Sequence, residues 1–178
     1  MDLLHTYQSP LGEITLASDG SHIVGLWFAN GRYFGESLSK ETTIGETVPV
    51  FQEADRWLDL YFSGKDPGIT PPLKIRGSAF RKRVCEIMEQ IPYGRVRTYG
   101  DIARQVAKEK GLTKMSAQAV GGAVGHNPIS LMIPCHRVVG ASGSLTGYGG
   151  GMWRKVKLLQ LEKTDMTGLF VPTKGTAL

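Results

Sequence analysis

Cysteine is scarce in this sequence. Cys85 and Cys135 are the only two in 178 residues, they lie 50 positions apart, and neither belongs to a Cys-x-x-Cys pair. That argues against a disulfide framework and against a four-ligand zinc site. Long apolar runs are missing too: none approaches the roughly 18 residues that span a membrane. The start, Met1-Asp2-Leu3-Leu4-His5, lacks a basic stretch followed by an apolar one, so it does not read as a signal peptide. The expected location is the cytoplasm. Composition gives no support for disorder, because 41% hydrophobic and 21% charged residues are ordinary globular usage. With 23 Gly and 9 Pro, several tight turns are expected without low complexity. At roughly 100–200 residues per domain, the length allows one domain or two small ones.

Acidic residues thin out along the chain. Residues 1–73 hold 4 Lys and Arg against 10 Asp and Glu, a balance of −6, whereas residues 74–178 hold 17 against 6, a balance of +11. The sign changes across the Pro- and Gly-rich segment 66–76, which is the expected domain boundary. A basic second part can neutralise phosphates and release their counterions; the plainer alternative is a generally basic surface.

The first part reads as strands. Residues 12–17 alternate apolar and polar, Asp19-Gly20 is a hairpin signal, and residues 23–28 form a second strand. Asn30-Gly31 marks another turn, with Arg32-Tyr33-Phe34 as a candidate third strand. Phe51, Ala54, Leu58 and Tyr61 fall at helical spacing and predict a helix over 50–62. The second part reads as mostly helical. Ser78 can cap a helix to about Ile91. Thr98 with Asp101 makes a weak capping box for a helix carrying Ile102, Ala103 and Val106 inward. Ser116 can cap a third helix to about His126, ended by Asn127-Pro128. A glycine-rich loop over 143–151 precedes a last amphipathic helix, 152–162, carrying Trp153, Val156 and Leu159. The expected architecture is α+β: an N-terminal α/β domain with an antiparallel sheet (1–73), a mainly α helix-turn-helix domain of winged-helix type (74–165), and a loose tail (166–178).

The helix from Ser116 is unusual, since Ala117-Gln118-Ala119-Val120-Gly121-Gly122-Ala123-Val124-Gly125 contains almost only small residues. Each helical glycine costs about 1 kcal/mol relative to alanine. Two readings explain the cost: tight packing against a neighbouring helix, or a slim helix shaped for a narrow groove. The DNA minor groove, about 6 Å wide, is such a groove.

Pro134-Cys135-His136-Arg137-Val138 carries the chemistry. A thiol attacks as its thiolate, and an imidazole oriented by a carboxylate can take the thiol proton. Arg137 either adds positive potential or anchors the turn. Taken alone, Cys135 and His136 could equally be packed core residues.

The wider pattern decides between these. Ile91-Pro92-Tyr93-Gly94, Thr98-Tyr99-Gly100, Ala119-Val120-Gly121-Gly122-Ala123, Asn127-Pro128, Ile133-Pro134-Cys135-His136-Arg137-Val138-Val139 and Gly147-Tyr148 occur in this order. Together, over about Phe80 to Glu162, they closely resemble the O6-alkylguanine-DNA alkyltransferases. The N-terminal part resembles that family only in its order of strands then helix.

The resemblance implies single-turnover DNA repair of O6-methylguanine, and of O4-methylthymine. The small-residue helix would enter the minor groove of double-stranded DNA, the damaged base would flip into a pocket, and the alkyl group would pass irreversibly to Cys135. His136 would be the base, acting through water, with Glu162 orienting it. Asn127 would brace the turns, and Tyr99 would turn the flipped nucleotide's phosphate and donate to the base. Tyr148, Gly149, Gly150 and Val138 would line the pocket. Ala117, Gln118, Ala119, Gly121, Gly122 and Arg137 would contact DNA. Gln118 departs from the family's arginine, which fills the gap left by the flipped base. Glutamine can occupy the stack and bond the orphaned cytosine but brings no charge. Some relatives hold zinc through N-terminal cysteines; this N-terminal part has none, so neither metal nor cofactor is expected, and the protein is expected to act as a monomer.

Other functions fit less well. A non-catalytic alkylated-DNA binder of the same fold would not need Cys135. A cysteine hydrolase leaves the small-residue helix and the basic charge unexplained. A transcription factor would need more base-reading side chains than Gln118. An S-adenosylmethionine enzyme would want a glycine motif directly after a strand near the N-terminus.

Overall fold

Residues 1–45 and 47–173 are described in the computed structural model. The chain falls into two compact units, one of residues 1–77 with 128–132, the other of residues 78–127 with those from 133 on. The expected boundary at 73/74 thus moves four residues on. The segment 128–132 belongs with the first unit, because Leu26 N–H donates to Pro128 O and Ser130 N–H to Leu26 O, extending a strand edge.

In the first unit, β1 (Asp2–Ser9), β2 (Gly12–Ser18) and β3 (Ile23–Phe28) form an antiparallel meander, and β4 (Thr42–Ile44) adds in parallel beside β1. The register sets Ile14 opposite Phe28 and Leu16 opposite Leu26, all of them buried. Arg32-Tyr33-Phe34 is a series of turns and not a strand; Tyr33 has a positive φ of 61°, which no strand tolerates. Helix α1 (Pro49–Phe62) starts with Pro at its first position and buries Val50, Phe51, Ala54, Trp57, Leu58 and Tyr61. Each such side chain contributes roughly 1.5–3 kcal/mol on burial. Asp2 is buried and held by both amino groups of Arg76, at 2.7 and 2.8 Å.

The second unit contains α2 (Ala79–Glu89), β5 (Arg97–Thr98), α3 (Tyr99–Glu109), α4 (Ala117–Gly125), β6 (Val138–Val139) and α5 (Met152–Leu161). All three predicted caps are present. Ser78 Oγ accepts from Arg81 N–H, Thr98 and Asp101 form a reciprocal capping box, and Ser116 Oγ accepts from Gln118 and Ala119 N–H. Helix α4 packs on α2 and α3 through Val120, Ala123 and Val124. Strand β6 pairs in parallel with β5, which places the turn before it beside the start of α3.

Trp153 lies on the exposed side of α5, while Lys155, Leu158 and Leu159 are buried. One expectation for the end of the chain, a loose tail, needs correction. The tail is not loose from 166: Met166 and Leu169 pack on Val139, Leu145 and Leu159, and Phe170 exchanges hydrogen bonds with Gly143 and Leu145. Residues 174–178 of the expected tail lie outside the described residues.

Candidate active site

Cys135, His136 and Arg137 form one 3-10 turn, and all three are buried. The turn is braced at its entrance, where Asn127 Nδ2 donates to Ile133 O at 2.8 Å and Cys135 N–H also donates to Ile133 O. Asn127 therefore sits at the base of the turn that carries Cys135. Within this turn, His136 and Arg137 both reach inward to a common partner.

That partner is Glu162, which follows α5. One carboxylate oxygen meets His136 Nε2 at 2.5 Å; the other accepts from Arg137 Nε at 2.7 Å and from Gly94 N–H at 3.1 Å. Gly94 is fixed here by its backbone: φ is +77°, and a Cβ would lie 3.1 Å from Glu162 O. Burial alone would raise the Glu162 carboxyl, but His136 and Arg137 outweigh it and hold the group well below the usual carboxylate range. Burial also pushes the His136 imidazole below its ordinary value, against the pull of Glu162. The arrangement is a carboxylate facing an imidazole, with Arg137 supplying a compensating charge. Arg137 was expected to contact DNA. Instead it is buried, bonded to Glu162 and to Ile91 O at 2.7 Å, so its charge serves the site from within.

Tyr99, at the start of α3, donates to Thr146 O at 3.0 Å. Lys155 donates to that same carbonyl at 2.8 Å and to Val138 O at 2.6 Å, with no exposed surface. Burial lowers its ammonium to about 8, and Cys135 is near enough to pull it back up. Lys155 was missed by sequence reasoning, although a signal existed: it falls on the apolar side of α5, three and four residues before Leu158 and Leu159. Tyr148 is buried, its ring 6.5 Å from the His136 ring and edge-on, and burial with Cys135 nearby raises its phenol well above the ordinary value. Tyr99 rises to about 12 for the same reasons. Gly149 and Gly150 are half-buried beside Tyr148, and Val138 is fully buried next to the turn. Cys85 is buried in α2, and burial pushes its thiol up to about 12, which makes it a poor nucleophile.

On α4, Ala117, Gln118, Ala119 and Gly122 are exposed and Gly121 is half-buried. A Cβ added at Gly121 or Gly122 would meet nothing within 4 Å. Packing against a neighbouring element therefore does not explain these two glycines. Among the described residues, no three His, Cys, Asp or Glu side chains are grouped to hold a metal ion, and no helix is long and apolar enough to cross a membrane.

Residues 79–164 match the family described as 6-O-methylguanine DNA methyltransferase, DNA binding domain, and residues 3–75 match its ribonuclease-like domain. A methylated-DNA–protein-cysteine methyltransferase of Mycobacterium tuberculosis is 42% identical over 89% of this chain and 91% of its own. One from Haemophilus influenzae is 39% identical over 88% and 84%. The structure of the Mycobacterium tuberculosis OGT in complex with DNA superposes with a TM-score of 0.78 at 41% identity, covering 90% of this chain and 92% of that one. The chain belongs to the 6-O-methylguanine DNA methyltransferase family.

Proposed function

We propose that this protein repairs O6-alkylguanine, and O4-methylthymine, in double-stranded DNA by moving the alkyl group to Cys135. The observation that carries the assignment is the buried Cys135-His136-Glu162 series on a helix-turn-helix unit of this family. A thiol proton passes to His136 through water. The Cys135 sulfur then attacks the alkyl carbon in line as the carbon–oxygen bond breaks, and the guanine oxygen takes the electron pair. Tyr99 donates to the base as that charge develops, and the leaving guanine regains a proton from the site. Lys155 favours the thiolate electrostatically. The thioether is stable, so each molecule acts once.

Helix α4 enters the minor groove. Support comes from Gly121 and Gly122, whose missing side chains leave open space outside the chain. Gln118 occupies the gap left by the flipped base. The protein acts as a monomer, and in the cytoplasm, where a nucleophilic thiol stays reduced.

The decisive experiment is incubation with a duplex oligonucleotide bearing O6-methylguanine, followed by peptide mass analysis. Cys135 should gain the methyl group. Cys135→Ala should bind the duplex without transfer, which is also how a purely binding protein would behave. Methyl on Cys85, or unimpaired transfer by Cys135→Ala, overturns the assignment.

A further inference from the structure

The loop beside the nucleophile has little to hold it. Between Thr146 and Met152 the chain runs Gly147-Tyr148-Gly149-Gly150-Gly151, and only Tyr148 carries a side chain. Glycines lose the most conformational freedom when fixed and give neighbours nothing to pack against. Such a wall must be held through its backbone. Gly151 N–H donates to Tyr148 O at 3.0 Å, closing the turn. Helix α5 adds two more holds: Lys155 N–H donates to Gly151 O at 3.2 Å, and Arg154 Nη1 donates to Gly150 O at 2.8 Å, the one of the two made by a side chain.

Arg154 is itself held in place. Its guanidinium lies 4.6 Å from the centre of the Trp153 ring. Trp153 is 54% exposed, so core packing does not explain it; its indole lies beside Gly151, where a Cβ would stand 3.4 Å from the ring. Arg154 is also close enough to Tyr148 to interact with its phenol electrostatically. One planar cation thus joins an exposed indole, a glycine carbonyl and the buried tyrosine.

We propose that Arg154 and Trp153 form a latch that sets the size of alkyl group accepted at Cys135. The proposal rests on the reading of this loop as the pocket wall. A charge-assisted bond from a rigid guanidinium fixes direction as well as distance. With the latch closed, the glycine wall stays close and confines a methyl group in line with the sulfur. With the latch removed, the wall retreats. A methyl group then loses its alignment, whereas a benzyl group fills the added space and keeps its own. Arg154 acts through Gly150 and is a positioning residue, not a catalytic one.

The test compares single-turnover transfer from duplexes carrying O6-methylguanine or O6-benzylguanine, using the intact protein. A misplacement of about 1 Å can cost about 100-fold. Arg154→Ala is expected to slow methyl transfer about tenfold or more while changing benzyl transfer far less, so the methyl-to-benzyl ratio falls. Arg154→Lys keeps a donor for Gly150 O and should restore part of the ratio. Trp153→Ala, a surface change, should lower the ratio in the same direction. Equal loss of both transfers in Arg154→Ala, or an unchanged ratio in both alanine variants, overturns the latch. If the unsubstituted protein transfers neither group, the functional reading fails and the latch fails with it; normal transfer with an unmoved ratio sinks the latch alone.

Discussion

His136 Nε2 faces a carboxylate oxygen of Glu162 at 2.5 Å, with both side chains wholly buried. The contact fixes a tautomer. When the carboxylate is ionised and the imidazole neutral, Nε2 carries the proton and Nδ1 keeps its lone pair. A base must offer that lone pair. Residues far apart in sequence thus set which ring nitrogen keeps its lone pair, and Arg137 and Gly94 hold Glu162 in place.

Replacing this carboxylate should harm both stability and chemistry. Glu162→Gln keeps the shape but leaves Arg137 buried without a countercharge, a type of loss that costs about 3 kcal/mol or more. It also releases the tautomer. Transfer should slow by about 100-fold or more, the scale of a general base. Urea unfolding and single-turnover transfer measure the two effects separately. A variant that is weakened in stability yet transfers at full rate would mean that Glu162 only holds Arg137.

Acid sensitivity should come in part from the other unit. The Arg76 fork holds the Asp2 carboxyl down at about 2 from its ordinary 3.8. A depressed carboxyl stabilises the fold above the unfolded value, and that contribution fades as pH falls through the folded value. For a shift of this size the contribution is on the order of 2 kcal/mol. Asp2→Asn should therefore unfold at lower urea than the unsubstituted protein near neutrality. The gap should close as pH drops from about 4 to about 2. A gap constant across that window would show that Asp2 contributes through packing instead.

Much of this was legible from local patterns. The caps at Ser78, Thr98 and Ser116 depend on one side chain and the next turn of backbone, so sequence spacing suffices. Cys135 and His136 are adjacent, and Asn127 lies only a short way upstream. What resisted reading depends on partners distant in sequence. Strand β1 (Asp2–Ser9) carries His5, Tyr7 and Gln8 on a half-exposed stretch, and it becomes a strand by pairing with β2 on one side and β4 on the other. Arg137 looks like a surface cation until Glu162 and Ile91 O are seen to enclose it. Lys155 breaks the usual rule for lysine because two carbonyls satisfy it inside. The tail beyond Thr164 is ordered by pairing Phe170 with Gly143 and Leu145, which nothing in its own sequence announces.

Duplex affinity should depend on one lysine in the last turn of α3 and one in the connector that leads to α4. Glu109 is occupied by Arg83 at 2.6 and 2.8 Å, and Asp101 is occupied by Arg104, so these acids do not cancel the local charge. Lys108 and Lys114 are exposed on the rim of a groove that reaches Ala117 at the start of α4. Each phosphate neutralised contributes about −0.9 to the slope of log affinity against log salt. Lys108→Ala and Lys114→Ala should each make that slope shallower by about 0.9, with transfer from free O6-methylguanine unaltered. Unchanged slopes would remove this rim from the DNA interface.

Gln118 should matter for duplex DNA and hardly at all for the free base. It is the one long side chain on the exposed start of α4, and its backbone N–H is tied to Ser116 Oγ at 3.1 Å, which fixes where the side chain departs. Flipping costs a few kcal/mol in unstacking and unpairing, so the group that fills the gap sets part of that equilibrium. Glutamine can bond the orphaned cytosine but adds no charge. Gln118→Ala should therefore slow single-turnover transfer from duplex DNA while leaving transfer from free O6-methylguanine almost unchanged. Gln118→Arg should hold the duplex at least as well as glutamine, because it adds a cation near phosphates. Neither variant should lose stability, since the position is exposed. If Gln118→Ala slows both substrates equally, the residue acts on the chemistry or the fold; if it slows neither, another side chain fills the gap.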